Sequence, residues 1–149
     1  MNDPTPRTGA GRHRLVEALT VAGVTTSSRI YVPGDAALPM LLWLCARGYA
    51  HVVHVSQSVA PIVEAGAALI VPRTVSLADL DRILAGCARV APGGLIVVQT
   101  ARSERRTLGD AIDDAMVRAG FWPEATATVS PTRQIHVARR ATAVLKRAA

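Results

Sequence analysis

Short apolar runs rich in β-branched residues alternate with helical segments along most of this chain. That alternation constrains its fold more than any other feature. The runs cover residues 29–33, 51–55, 67–71 and 95–98. Residues 67–71 and 95–98 are continuously apolar, as are residues 30–33 within the first run, which is typical of parallel strands covered on both faces. Right-handed crossovers through the intervening helices leave few topologies. The sequence therefore predicts a parallel sheet between two helical layers.

The hydrophobic pattern predicts five helices. They cover residues 11–23, 36–47, 59–65, 77–90 and 107–119. Ser76 is predicted to cap the fourth, with Asp79 reaching back to it as in a capping box. The second is apolar nearly all round, so it is predicted to be well buried. Cys45 and Cys87 fall in apolar helical patterns and are predicted to be small buried hydrophobes.

The end of the chain predicts an antiparallel addition to the sheet. Two β-rich runs, residues 126–129 and 135–138, flank a Ser-Pro-Thr-Arg turn and indicate a hairpin. The predicted organisation is a disordered tail over residues 1–10, one α/β domain over 11–140, and a basic tail or short helix over 141–149.

Charge and composition exclude some functions. The net charge is +6, but the basic residues are spread along the chain, and only five residues are aromatic. Arginine outnumbers lysine so strongly that we attribute the excess to a GC-rich, bacterial-type genome. Without a stacking platform or a DNA-binding motif, we expect no nucleic-acid partner. The longest apolar run, residues 36–46, is too short to span a bilayer. The first residues lack an apolar signal core, so we expect a cytoplasmic protein.

Three stretches together resemble the class I S-adenosylmethionine-dependent methyltransferases. Residues 67–100, AALIVPRTVSLADLDRILAGCARVAPGGLIVVQT, resemble that family's fourth strand, its helix, its Pro-Gly-Gly turn and its fifth strand. Residues 119–140, AGFWPEATATVSPTRQIHVARR, resemble its closing hairpin, and residues 29–57 its first strand–loop–helix–strand unit. The resemblance implies a three-layer, Rossmann-like α/β sandwich. Its mostly parallel six-stranded sheet would have the order 2-1-3-4-6-5 and a C-terminal antiparallel hairpin.

The family's cofactor loop is only partly matched. It normally reads Gly-x-Gly-x-Gly, because only glycine lets the backbone approach the cofactor closely. Gly34, Ala36 and Leu38 occupy those three positions, and Val32 stands where an acidic residue is usual. Asp35 lies inside the loop and is interpreted as a helix N-cap. Gly34, Asp35 and Ala36 are therefore candidate cofactor contacts only.

Two further places carry candidate contacts. The family's second strand ends in a carboxylate that binds the cofactor ribose, whereas this one ends at Ser56 and Gln57. Those side chains would either make one weaker bond to a ribose or cap the next helix. Pro72 and Arg73 follow the third strand in a predicted loop. There Arg73 would either hold an anion or be solvated.

The link between the second and third strands is too short for the family pattern. Residues 57–66 leave room for one short helix, but not for the additional strand the family places there. The second strand, His51–Ser56, is therefore predicted to become a sheet edge that a second copy or a protein partner would cover. His51, His54 and His136 are scattered, so no metal site is expected. No catalytic residue is assigned.

These departures favour one function and leave others open. The leading hypothesis is a catalytically degenerate methyltransferase-like domain, a pseudoenzyme that acts in self-association or partner binding, in a regulatory role. On that hypothesis it holds no cofactor. The alternative is a minimal active methyltransferase that binds S-adenosylmethionine and acts on an unknown substrate. A third is binding of another small ligand or nucleotide in the same crevice.

Overall fold

A computed structural model describes residues 7–34, 37–55, 67–86, 90–102 and 106–141, and confirms the predicted α/β class. The elements in these ranges alternate as the sequence predicts. In chain order they are α1 (Arg7–Val21), β1 (Arg29–Pro33), α2 (Ala37–Ala46), β2 (His51–Val55), β3 (Ala68–Val75), α3 (Leu77–Gly86), β4 (Leu95–Ala101), α4 (Arg106–Arg118), β5 (Phe121–Ser130) and β6 (Arg133–Arg140).

The six strands form one sheet in the order β2-β1-β3-β4-β6-β5, as predicted. β1 pairs in parallel with β2 and with β3, and β3 pairs in parallel with β4. β6 is antiparallel to both of its neighbours, β4 and β5. The carboxyl ends of β1 to β4 therefore lie along one edge of the sheet, which is where open α/β folds bind ligands.

Alternate strand residues face two separate cores, because successive side chains in a strand point to opposite faces. On β1, Ile30 and Val32 are fully buried in the first core, while Tyr31 packs against the second. α1 and α2 cover the first core and α3 and α4 the second. The largest helical contributions come from Leu19, Leu44, Leu80, Leu84, Ile112 and Met116.

Several element boundaries differ from the predicted ones. α1 begins at Arg7, so residues 7–10, assigned to the tail, are helical. β3 continues to Val75, four residues beyond its predicted end. β5 and β6 are also longer than predicted. The predicted helix over residues 59–65 lies outside the described residues, as do residues 1–6 and 142–149 of the predicted tails.

The prediction that α2 is well buried is wrong. Leu38 is 62% exposed and Leu42 is 58% exposed, although Ala37 and Leu44 on the opposite side are buried. Cys45 is also exposed, which corrects the expectation of a buried thiol. Cys87 lies outside the described residues. One apolar side of this helix is thus left uncovered by the part of the chain that the structure describes.

Arg139 ties three distant parts of the chain together. Its guanidinium donates from Nη1 to the Gly93 carbonyl oxygen at 2.9 Å and from Nη2 to the Ala22 carbonyl oxygen at 2.6 Å. Its Nε–H is bonded to the Glu124 carboxylate across the hairpin. One side chain on β6 therefore satisfies a carbonyl just beyond the end of α1, one in the Pro-Gly-Gly turn and an acid on β5.

The Pro-Gly-Gly turn before β4 requires its second glycine for lack of space. A Cβ placed on Gly94 would lie 2.6 Å from Val90 Cγ1 and 3.0 Å from the Ala91 carbonyl oxygen. The backbone is fixed there by its own bonds. Gly94 N–H donates to the Ala91 oxygen at 2.9 Å, and the Gly94 oxygen accepts from Arg140 N–H at 2.8 Å.

Gly94→Ala is therefore expected to destabilise the domain by about 1–3 kcal/mol, the usual cost of forcing a group into a packed site. Gly109→Ala is the matched control, because a Cβ there meets nothing within 4 Å and Gly109 lies in α4. That change should stabilise by about 0.5–1 kcal/mol. Urea denaturation of both variants measures the difference, and equal effects would contradict the packing argument.

Candidate functional site

Gly34 occupies the carboxyl end of β1 in a conformation that favours glycine. Its φ is +90°, a region that other residues enter at a cost of about 1–2 kcal/mol. Its N–H donates to the Val55 carbonyl oxygen at 3.3 Å, and its own carbonyl oxygen lies 2.9 Å from His54 Nε2. Because a carbonyl oxygen only accepts, His54 Nε2 carries the proton. The loop is thus bonded to the end of β2 at two points.

His54 is a residue whose role the sequence analysis missed. It was considered only as a metal ligand, yet it holds the first loop against the second strand. The register that pairs Val32 with His54 brings its side chain level with the loop. A polar residue near the carboxyl end of a strand next to a glycine turn is the signal that would have indicated this contact.

The remaining positions of the cofactor loop are only partly described. Val32 stands where the family usually has an acid. Its side chain is fully buried in the first core, so this position contributes to packing. Leu38 lies in the first turn of α2 with an exposed side chain. The candidates Asp35 and Ala36, and the strand-end pair Ser56 and Gln57, lie outside the described residues.

Pro72 and Arg73 lie in a strand, which corrects the predicted loop. β3 runs through both of them to Val75, with a register shift against β4 between Ile70 and Thr74. A bulge lets a proline stay in a strand, because it removes the need for one ladder bond. Arg73 is exposed.

The N-terminal cap of α3 contains an acid, Asp79, that interacts with the charge of Arg73. Ser76 Oγ accepts from the Asp79 N–H at 3.2 Å and donates to Asp79 Oδ2 at 3.0 Å, and Arg82 Nη2 lies 2.6 Å from Asp79 Oδ1. The Ser76 bond, followed by the charges of Arg82 and Arg73, holds the pKa of Asp79 below its usual value. Arg73 therefore already has an acidic neighbour, which weakens its case as an anion site. The predicted cap is confirmed, with the acid bonded to the Ser76 hydroxyl.

A buried polar cluster lies where β4 meets the start of β6. His136 Nε2 is 2.9 Å from Thr100 Oγ1 and 3.0 Å from Gln134 Nε2. Both contacts fall on the Nε2 side of the imidazole ring. Nδ1 is buried and has no hydrogen-bond partner in the described structure. The sequence analysis missed this cluster because Thr100 and His136 are 36 residues apart.

His136 is held in its neutral form by its surroundings. Only 3% of the residue is exposed. Burial lowers the pKa of His136, and the charge of Asp113 on α4 opposes that shift only in part. The ring therefore resists protonation as long as the domain stays folded.

β2 forms one edge of the sheet. It pairs with β1 and with no other strand in the part of the chain that the structure describes. Its five residues, His-Val-Val-His-Val, include no Lys, Asp, Glu or Pro, and Val53 is 41% exposed. Natural edges are usually protected by such residues. This edge lacks that protection over residues 51–55.

The described ranges contain neither a metal-binding group of side chains nor a membrane-spanning helix. No three His, Cys, Asp or Glu side chains there are grouped so that they could hold a metal ion. No helix among the described residues is long and apolar enough to cross a membrane.

Solved structures with the same fold include methyltransferases and a cyclase. A methyltransferase from Pyrococcus furiosus has a TM-score of 0.55 and 11% identity, over 95% of this chain and 88% of its own. An S-adenosylmethionine-dependent methyltransferase from Mesorhizobium loti has 0.54 and 15%, over 90% and 100%. The [4+2]-cyclase SpnF has 0.56 and 12%, over 93% and 86%. No family model and no curated protein matches the chain.

The domain therefore has the Rossmann-like fold of class I methyltransferases. Identities this low establish the fold and not the reaction, and a cyclase among the similar structures shows that this fold also serves other chemistry. The function has to be argued from the site.

The buried His136 is expected to make stability depend on pH. Its folded pKa lies below its unfolded value, so the unfolded chain binds the proton more readily. The stability that the neutral ring retains above about pH 6.5 should be lost as pH falls from there towards the lowered folded pKa. Urea denaturation at a series of pH values measures that slope.

His136→Gln should flatten the slope in that window, whatever it does to stability at neutral pH. His51→Gln is the control, because His51 is exposed and should leave the slope in place. Equal slopes in wild type and His136→Gln would contradict the assignment.

Proposed function

We propose that this chain is a non-catalytic methyltransferase-like domain that works by assembly through the β2 edge, in a regulatory role. The observation that carries the proposal is an edge strand that pairs on one side only within the described ranges and carries no protective charge. Unpaired N–H and C=O groups beside exposed valine form a template for another strand. Main-chain pairing at such an edge is a recurrent mode of protein recognition.

The crevice supports this proposal by what it lacks. Val32 is packed into the core, and the Gly34 carbonyl is already bonded to His54. The sequence has no carboxylate at the end of β2 to hold a ribose. A lost charge-assisted hydrogen bond costs roughly 1.5–3 kcal/mol, or about one to two decades of affinity. These features argue against ordinary affinity for a methyl donor.

The wild-type chain is expected to show a concentration-dependent oligomer in size-exclusion chromatography with light scattering. Val53→Lys should weaken that assembly roughly tenfold or more, because it places a charge where the second strand would pair with the edge. The matched control is Val117→Lys, on α4, where the valine is similarly exposed at 46%. A monomer at every concentration, or equal effects of the two variants, would count against the proposal.

Binding of S-adenosylmethionine is the second candidate, and one observation favours it. Gly34 has positive φ at the carboxyl end of β1, which is the backbone that a cofactor loop needs. The structurally similar protein from Mesorhizobium loti is S-adenosylmethionine-dependent. On this reading Gly34, Ser56 and Gln57 would contact the cofactor.

Titration calorimetry with S-adenosylmethionine and S-adenosylhomocysteine separates the two candidates. The assembly proposal expects no binding in the micromolar range. Micromolar binding that Gly34→Ala abolishes would instead favour the cofactor reading, provided circular dichroism shows that the variant is folded. Ser56→Ala tests the sugar contact separately and introduces no backbone strain.

A further inference from the structure

We propose that the partner at the β2 edge is a second copy of this chain and that the exposed leucines of α2 form the other half of the contact. The proposal rests on the edge-mediated assembly argued above and specifies its partner and geometry. One side of α2 is exposed in the described structure.

The exposed apolar residues of α2 lie on one side of the helix. Leu38, Leu42 and Cys45 follow the i, i+4, i+7 spacing of a single stripe. Ala37 and Leu44 face the sheet, and the stripe lies about a third of a turn away from them around the helix.

The handedness of the β1–α2–β2 unit decides where the stripe points. In a right-handed crossover the helix runs antiparallel to the two strands. Because the α-helix is itself right-handed, the side of α2 that carries the stripe then faces the second strand. The second strand here is β2, the sheet edge. The opposite flank of α2 carries Met40 and Trp43, which pack against the first core. The stripe therefore overhangs the unpaired side of β2.

The stripe and the strand form one continuous surface, the edge surface, made of Leu38, Leu42, Cys45 and β2. None of these residues is an acid, a lysine or an arginine. Two copies therefore meet there without like-charge repulsion, despite a net charge of +6 on each chain.

A two-fold axis perpendicular to the sheet brings both β2 and the leucine stripe into contact with their counterparts on the second copy. It pairs β2 antiparallel with β2 of the second copy and keeps the two α2 helices on the same face. α2 packs over β1 and β2. If its axis lies midway between them, a strand spacing of about 4.8 Å puts the two helices about 10 Å apart. That distance is typical of packed helices.

The register follows from the length of β2. Antiparallel pairing centred on Val53 engages all five residues. It pairs Val53 with Val53 of the second copy, Val52 with His54, and His51 with Val55. Any shift leaves strand residues unpaired at both ends.

A second copy fits this surface better than an unrelated strand. A foreign strand would pair with the β2 backbone but leave the leucine stripe in water. A second copy brings an identical stripe to the same place. Covering Leu38 and Leu42 from both copies removes four large exposed side chains from solvent.

Disulfide trapping tests the register. In a Cys45→Ser, Cys87→Ser background, Val53→Cys should form a cross-linked dimer on mild oxidation. Directly opposed Cα atoms lie about 4.5–5.5 Å apart, within disulfide range. His51→Cys is the control, because its two copies would be about 13 Å apart along the strands in this register. Cross-linking at position 51 and not at 53 overturns the register.

Charge substitution tests the helix stripe. Leu42→Lys should weaken the dimer tenfold or more in light scattering, while Val117→Lys on α4 leaves it unchanged. Both side chains are already substantially exposed in the monomer, so both variants should fold.

The outcomes separate this inference from the proposed function. A wild-type monomer at all concentrations overturns both. A dimer that Val53→Lys weakens, but that is indifferent to Leu42→Lys or gives no disulfide at position 53, overturns the geometry proposed here and leaves edge-mediated assembly standing.

Discussion

The length of chain between β2 and β3 decides where this sheet ends. A parallel crossover takes about a dozen residues or more, so residues 56–66 provide for one crossover and not for two with a strand between them. β1 accordingly lies between β2 and β3, and β2 is terminal among the described strands. The terminal position of β2 among the described strands follows from this limit.

The first loop keeps one feature of a cofactor-binding loop and departs from the family pattern in another. Gly34 keeps the backbone conformation of a binding loop, but its polar groups are bonded to β2. The position of the usual acid belongs to the hydrophobic core through Val32. Packing alone is enough to maintain such an architecture, because two apolar faces and a hydrogen-bonded ladder require no ligand.

Local patterns predicted most element centres, because continuous apolar runs and helical spacing are encoded within a few residues. The strand order was implied by the family resemblance and not by any local pattern. The ends of β3 and β5 were missed where a proline interrupts the run. Bulges near Pro72 and Pro123 keep those segments in the sheet, and they depend on the neighbouring strand. The exposed side of α2 was missed for a different reason. Periodicity shows that a helix is apolar, but not which neighbours cover it. The contacts of His54 and His136 join residues far apart in sequence.

The clasp made by Arg139 affects the order in which the domain matures during synthesis. The carbonyl of Ala22 receives its bond from a residue 117 positions later, and α1 packs on β5. These contacts of α1 cannot form until β5 and β6 have been synthesised. Until then the face of α1 that packs on β5 lacks its partner, so the unfinished chain exposes apolar surface that favours association with other chains.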